Sequence, residues 1–238
     1  MAQLDKKIAL VTGASRGIGA ASAKALAAEG AHVILCARTI GGLERTHDEI
    51  AEQGGAATIM PLDLKKGDDI DMVGPNVFER FGGLDIFVGN AGTLGGLRMV
   101  SHHNPKVWKE TFDVNVHANY RLIRTLDPLL KKSDAGRAVF ITSRLAEMNE
   151  PFFGLYAATK AALNAFVKIY AAEMAETKVR ANLLVPGVIH TSMMDESYPG
   201  GFPDKSKLVQ PEDAAAEVLK LCLPECNDNG QILSPLLK

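Results

Sequence analysis

The sequence predicts a doubly wound α/β fold: a parallel seven-stranded sheet with helices on both faces, forming a single domain over residues 1–238. Three observations predict it. Short apolar runs alternate with longer segments of helical period along the whole chain. The runs are nearly all apolar instead of alternating with polar residues, as in strands buried on both faces. No internal repeat, low-complexity tract or Pro/Ser-rich linker divides the 238 residues, a length at which one domain buries a full core.

The strands are expected at Ile8–Thr12, His32–Ala37, Thr58–Leu62, Leu84–Gly89, Arg137–Thr142, Val179–Val185 and near Gln231–Ser234. Helices are expected between them: Gly17–Glu29, Gly41–Gln53, a stretch ending near Phe81, Pro105–Lys131, Pro151–Glu176 and Pro211–Leu223. Strands separated by helices of this length require right-handed crossovers. Gly74-Pro75 should break or restart the third helix. The least regular stretch is Ser192–Lys207, which holds Pro199-Gly200-Gly201 and Pro203. It follows the sixth strand, on the edge where such sheets bind ligands, so a substrate loop is expected at about 190–210.

Composition excludes several classes. With 26 basic and 28 acidic side chains the net charge is −2, and no basic stripe suits nucleic acid or an anionic membrane. No apolar run reaches the ~18 residues that span a bilayer, and the N-terminus carries no signal-peptide pattern. Three cysteines make no disulfide framework, so a cytoplasmic location is expected. Cys222 and Cys226 lack further ligands at zinc spacing, and no metal is expected.

Thr12-Gly13-Ala14-Ser15-Arg16-Gly17-Ile18-Gly19 lies where the first strand meets the first helix, with G-x-x-x-G-x-G spacing. Glycines there let the backbone approach a pyrophosphate, whose charge meets the N–H groups opening the helix, as in Rossmann-type sheets. An NAD site usually ends its second strand with an acid for the ribose 2′-hydroxyl. Here that strand ends Cys36-Ala37-Arg38-Thr39. A guanidinium grips a 2′-phosphate through paired charge-assisted bonds, and Arg16 approaches from the turn. NADP(H) is therefore expected over NAD(H).

Tyr156 and Lys160 lie one turn apart on a predicted helix. A phenol of pKa about 10 becomes a usable base only when a neighbouring cation favours the phenolate. Ser143 ends the fifth strand, where its hydroxyl can hold a substrate oxygen. Asn90 stands in Gly89-Asn90-Ala91-Gly92 after the fourth strand, and Asn115 sits mid-helix, where its side chain or the perturbed backbone could hold a water.

This ordered set resembles the short-chain dehydrogenase/reductase family. The motifs are the glycine turn, Asp63-Leu64, the Asn-Ala-Gly after the fourth strand, Asn115, Ser143, the Tyr156/Lys160 pair and Pro186-Gly187. The resemblance implies Tyr156 as acid/base, with Lys160 lowering its pKa and binding the nicotinamide ribose. It implies that Ser143 orients the carbonyl and that Asn115 supports a water relay behind Lys160. Gly13, Ser15, Arg16, Ile18, Gly19, Arg38, Asp63, Leu64, Asn90, Ala91 and Gly92 would line the cofactor site. In that set Asp63 meets the adenine and Asn90 the adenosine side. Ile189 and Thr191, beyond Pro186 and Gly187, would meet the nicotinamide amide and phosphates. Homodimers or homotetramers built on the two long helices are implied as well. The family usually reads Asn-Asn where this chain has Gly89-Asn90, at the loss of one side chain.

Other residues bear on substrate without naming it. Phe152 and Phe153 precede Tyr156 and could wall an apolar ligand; Arg144 follows Ser143 where a small residue is common. His190 is read as structural and His102-His103 as a solvated loop. The leading expectation is hydride transfer between nicotinamide and a carbonyl or secondary alcohol. The alternatives are a 3-oxoacyl-thioester (acyl carrier protein) reductase, which needs a basic patch such as Arg98, Lys106 and Lys109, and a non-catalytic NADP-binding sensor.

Overall fold

The computed structural model describes residues 2–198, 200–202 and 208–236. Seven parallel strands form one sheet in the order β3-β2-β1-β4-β5-β6-β7. They are β1 (Ile8–Thr12), β2 (His32–Ala37), β3 (Ala56–Pro61), β4 (Ile86–Gly89), β5 (Arg137–Ile141), β6 (Arg180–Leu184) and β7 (Ile232–Leu233). The strand order reverses between β1 and β4, the switch point where such sheets open a crevice. Val11 pairs with Leu35 on one side and Val88 on the other, so three strands end level at that crevice.

Alternate strand residues feed two cores. Leu10, Ile34, Phe87 and Phe140 face α4 (Val73–Phe81), α6 (Ala118–Lys132) and α7 (Gly154–Glu173). Val11, Leu35, Val88 and Val139 face α1 (Gly17–Ala28), α2 (Ile40–Glu52) and α9 (Pro211–Cys222). Helices on both faces explain why the strand sequences carry no polar alternation. Among the described residues no helix is long and apolar enough to cross a membrane.

Several boundaries depart from expectation for local reasons. The break expected at Gly74-Pro75 falls at Met72, between α3 (Gly67–Asp71) and α4. Pro75 then occupies the first turn of α4, where its missing N–H has no helical partner to lose. The Gly74 N–H donates to Thr125 Oγ1 at 3.2 Å. The helix expected over Pro105–Lys131 is α5 (Pro105–Phe112) and α6, joined by a π-turn at Asp113–His117. The helix expected from Pro151 starts at Gly154, because Phe152 adopts φ 72°, a left-handed backbone no right-handed helix contains. At the sheet edge β3 runs two residues ahead of expectation and stops on Pro61, a position where proline is tolerated.

The stretch read as least regular holds a short helix, α8 (Ser192–Ser197). The substrate loop expected at 190–210 is closed at its base by a parallel bridge between Ile189 and Val209. Within it, residues 199 and 203–207 lie outside the described residues.

Candidate active site

The turn from β1 to α1 is built for close approach. Gly13 has φ 67°, and a Cβ there would come 2.7 Å from Asn90 Nδ2. Gly19 sits so tightly against the Gly13 carbonyl that no side chain fits. No side chain caps α1, so its first N–H groups are available to an anion. The turn is clamped from both sides. Asn90 Nδ2 donates to the Thr12 carbonyl at 2.8 Å, while the Asn90 and Ala91 N–H groups donate to Thr12 Oγ1 at 3.0 and 3.1 Å. Opposite, Thr46 Oγ1 donates to the Ala14 carbonyl at 3.0 Å, and Gly42 packs on Ser15. The Asn90 amide therefore ties β4 to β1, leaving only its oxygen for a ligand.

The turn lines one end of a cleft of about 880 Å³ along the C-terminal ends of the strands. Every expected cofactor and catalytic residue lines that cleft except Gly19 and Asn115, which lie behind it. At the β2 end, Ser15, Arg16, Ile18, Arg38, Asp63 and Leu64 form the wall, with Gly13 beneath. Asn90, Ala91 and Gly92 lie at the middle. Pro186, Gly187, Ile189 and Thr191 face them, with the Thr191 methyl set over Gly17. Sequence reading missed Arg45, which lines the cleft beside Arg38 because Gly42 and Thr46 dock α2 on the turn. Arg16, Arg38 and Arg45 are exposed, and none forms an ion pair among the described residues. This end fits a dinucleotide carrying several anionic oxygens.

At the other end, Tyr156 and Lys160 rise from α7, both buried. Lys160 Nζ donates to the Ile141 carbonyl at 2.7 Å and lies 5.6 Å from the centre of the Tyr156 ring. Burial pushes the Tyr156 phenol up to about 12, against the opposing hydrogen bond with Ser143, and lowers the Lys160 ammonium to about 8. Burial therefore sets the net direction of the Tyr156 shift, opposite to the one expected from the neighbouring charge. A phenol raised in this way stays protonated at neutral pH. Ser143 Oγ also accepts from the Leu145 N–H at 3.2 Å, fixing a single turn of 3₁₀ helix at Arg144–Ala146.

Asn115 is fully buried in the π-turn. Its Oδ1 accepts from the Thr93 N–H at 2.8 Å, and its Nδ2 donates to the Thr93 carbonyl and to Thr159 Oγ1, each at 2.9 Å. Thr159 Oγ1 in turn donates to the Tyr156 carbonyl at 2.7 Å. The side chain is thus a brace between the loop after β4 and α7, which leaves the backbone carbonyl as the expected holder of a water. A relay would have to use the Asn115 carbonyl, which already accepts from Asn119 Nδ2 at 2.9 Å. Asn119 also explains Gly89: a Cβ there would lie 2.6 Å from the Phe140 ring and 2.7 Å from Asn119 Oδ1.

Of the remaining candidates, Phe153, Arg144 and His190 line the cleft, whereas Phe152 points away and is exposed. His103 is not solvated as expected. It packs edge-on against Trp108 at 5.8 Å with both ring nitrogens buried. Arg98, Lys106 and Lys109 do not line the cleft, and Lys109 pairs with Asp113 at 2.7 Å.

A glycine turn at the switch point, arginines in place of an acid after β2, and a buried Tyr/Lys pair beside a serine define a dinucleotide-dependent oxidoreductase. Residues 7–200 match the short chain dehydrogenase family. The oxidoreductase YciK of Escherichia coli strain K12 is 35% identical over 207 residues, covering 86% of this chain and 82% of the relative. The 3-oxoacyl-[acyl-carrier-protein] reductase of Synechocystis strain PCC 6803 is 31% identical over 222 residues, covering 92% and 90%. The crystal structure of a short chain dehydrogenase from Escherichia coli CFT073 complexed with NADPH superposes with a TM-score of 0.92 at 33% identity, covering 98% of each chain. The chain belongs to the short-chain dehydrogenase/reductase family, and it is an enzyme acting on CH–OH and C=O groups.

Proposed function

We propose that this enzyme is an NADPH-dependent reductase of a ketone or aldehyde in which Tyr156 supplies the proton. The observation that carries the reading is the Tyr156/Lys160 pair, buried together beside Ser143 on the floor of the cleft. NADPH, when bound, supplies the hydride. Arg38, Arg16 and Arg45 would hold its 2′-phosphate, and no carboxylate stands at the end of β2 to repel it. Gly13, Ser15, Ile18 and Gly19 would admit the pyrophosphate, Asp63 and Leu64 the adenine. Asn90, Ala91 and Gly92 would flank the ribose, and Pro186, Gly187, Ile189 and Thr191 the nicotinamide half. The NADPH-bound relative supports the use of NADPH.

Ser143 and Tyr156 donate hydrogen bonds to the substrate oxygen. As negative charge grows there, the phenol passes its proton across, and the Lys160 ammonium stabilises the phenolate left behind. Asn115 keeps α7 in place through Thr159. In the reverse direction the phenolate takes the proton of an alcohol. A non-catalytic sensor has no chemical need for Ser143, Tyr156, Lys160 and Asn115 together. A single domain, a cytoplasmic location and a homodimer or homotetramer belong to the same reading. NADPH oxidation over ketones, sugars, steroids and acyl thioesters, run beside Tyr156→Phe, tests it. Turnover that depends on Tyr156 supports it, and turnover indifferent to Tyr156 contradicts it.

A further inference from the structure

Unpaired arginines in this cleft fall into two groups. Arg16, Arg38 and Arg45 stand at the β2 end, where the ligand's own anions account for them. Arg144 stands alone at the opposite end, one residue from Ser143 and lining the same cleft. Its backbone is fixed: Ser143 Oγ caps its 3₁₀ turn, and the Glu147 N–H donates to the Arg144 carbonyl at 3.1 Å. Its side chain is exposed and lines the cleft one residue along the chain from the hydroxyl proposed to hold the substrate oxygen. It forms no ion pair and no side-chain hydrogen bond among the described residues. The same cleft has apolar lining residues, among them Leu94, Leu145, Met148, Phe153 and Met193.

The acids available to it are few. Glu110 lines the cleft but lies 3.5 Å from Lys65, its own partner. Glu150 lines the cleft beyond ion-pair distance from Arg144. An exposed guanidinium lining the cleft without a counter-ion among the described residues is matched by a ligand that brings one, since its planar fork takes two oxygens of a carboxylate or phosphate at once.

We propose that Arg144 binds substrate, and that the substrate is an oxo compound carrying an anionic group joined to its carbonyl by a short apolar chain. Ser143 and Tyr156 hold the carbonyl oxygen, the apolar walls hold the chain, and Arg144 holds the anion. The inference rests on the reductase reading for the carbonyl end. The anionic end is tested separately, by binding.

The probes are levulinate against methyl levulinate, and dihydroxyacetone phosphate against dihydroxyacetone. Each is titrated calorimetrically into the enzyme–NADP⁺ complex and assayed for NADPH oxidation. Charge-assisted bonds of this kind make the anionic member of at least one pair bind about tenfold or more tighter than its neutral partner. Which pair shows the larger ratio separates carboxylate from phosphate. In Arg144→Gln that ratio collapses to near one, and Arg144→Lys keeps part of it. Glu150→Gln leaves the ratio intact or raises it, because it removes a like charge. Equal binding of charged and neutral probes by wild type overturns the proposal, as does no binding of any probe. So does an Arg144→Gln variant that weakens both members of a pair alike, or a ratio lost in Glu150→Gln. Arg144-dependent binding of anions that are never reduced would leave this inference standing and overturn the reductase reading.

Discussion

Tyr156 and Lys160 are displaced in opposite directions by the same burial: the phenol rises to about 12 and the ammonium falls to about 8. Each is pushed towards its neutral form, as a low-dielectric site requires. The phenol therefore keeps its proton across the physiological range, while the ammonium stands close to losing its own.

This sets the pH dependence of the two directions. Reduction needs a protonated phenol and a charged Lys160, so kcat/KM for carbonyl reduction should hold steady below about 8 and fall as pH rises through that value. Alcohol oxidation needs the phenolate and should climb into the alkaline range. Profiles in both directions check this, and a reduction rate that climbs through pH 8 contradicts it.

The same burial makes Lys160 a stability cost. Between about 8 and 10.5 the unfolded chain holds a proton that the folded lysine has lost, so stability contributed by this group rises with pH across that window. At pH 7 the cost is present in full, on the order of 3 kcal/mol. Lys160→Met should abolish turnover yet raise Tm by a few degrees at pH 7, with the gain shrinking towards pH 10. Calorimetry at both pH values measures it; a lower Tm at pH 7 contradicts the burial cost.

Much of this site was legible because local chemistry defines it. The glycine turn needs its glycines, the unbroken apolar strands announce a sheet covered on both faces, and Tyr156 and Lys160 meet by helical period alone. What was hidden depends on contacts between distant segments. The π-turn at Asn115 is held by Thr93 in the loop after β4 and by Thr159 on α7, and no local pattern encodes them. Arg45 joins the cleft only because Gly42 and Thr46 seat α2 against the turn. Phe152 stops α7 short through a backbone angle that its residue type does not suggest. The rise of the Tyr156 pKa was hidden because burial is a property of the packed structure, while spacing revealed only the neighbouring charge.

The proposed cofactor preference is tested at Arg38. Replacing it by aspartate exchanges attraction for repulsion at the 2′-phosphate, so Arg38→Asp should weaken NADPH binding about tenfold or more and leave NADH binding level or improved. Fluorescence titration of both cofactors into both proteins measures this. Wild type that binds the two equally, or a variant that loses both alike, contradicts the assignment.

The proposed assembly would use the outer face of α7. Ala161, Ala165, Ile169 and Ala172 are all exposed, Ile169 at 60%, and small residues let a second helix approach closely. Light scattering should give a dimer or tetramer, with Ile169→Lys shifting it towards smaller species. A wild-type mass of 25.5 kDa at micromolar concentration contradicts this.

The central claim is that the Tyr156 hydroxyl carries the proton, and Tyr156→Phe tests it most directly. The substitution keeps the ring and its packing and removes only the exchangeable proton. Measured with a substrate that wild type reduces, turnover should fall by roughly 10²–10⁴-fold while NADPH affinity stays close to wild type. A variant that keeps more than about a third of wild-type turnover, far above that acid–base range, would contradict the account.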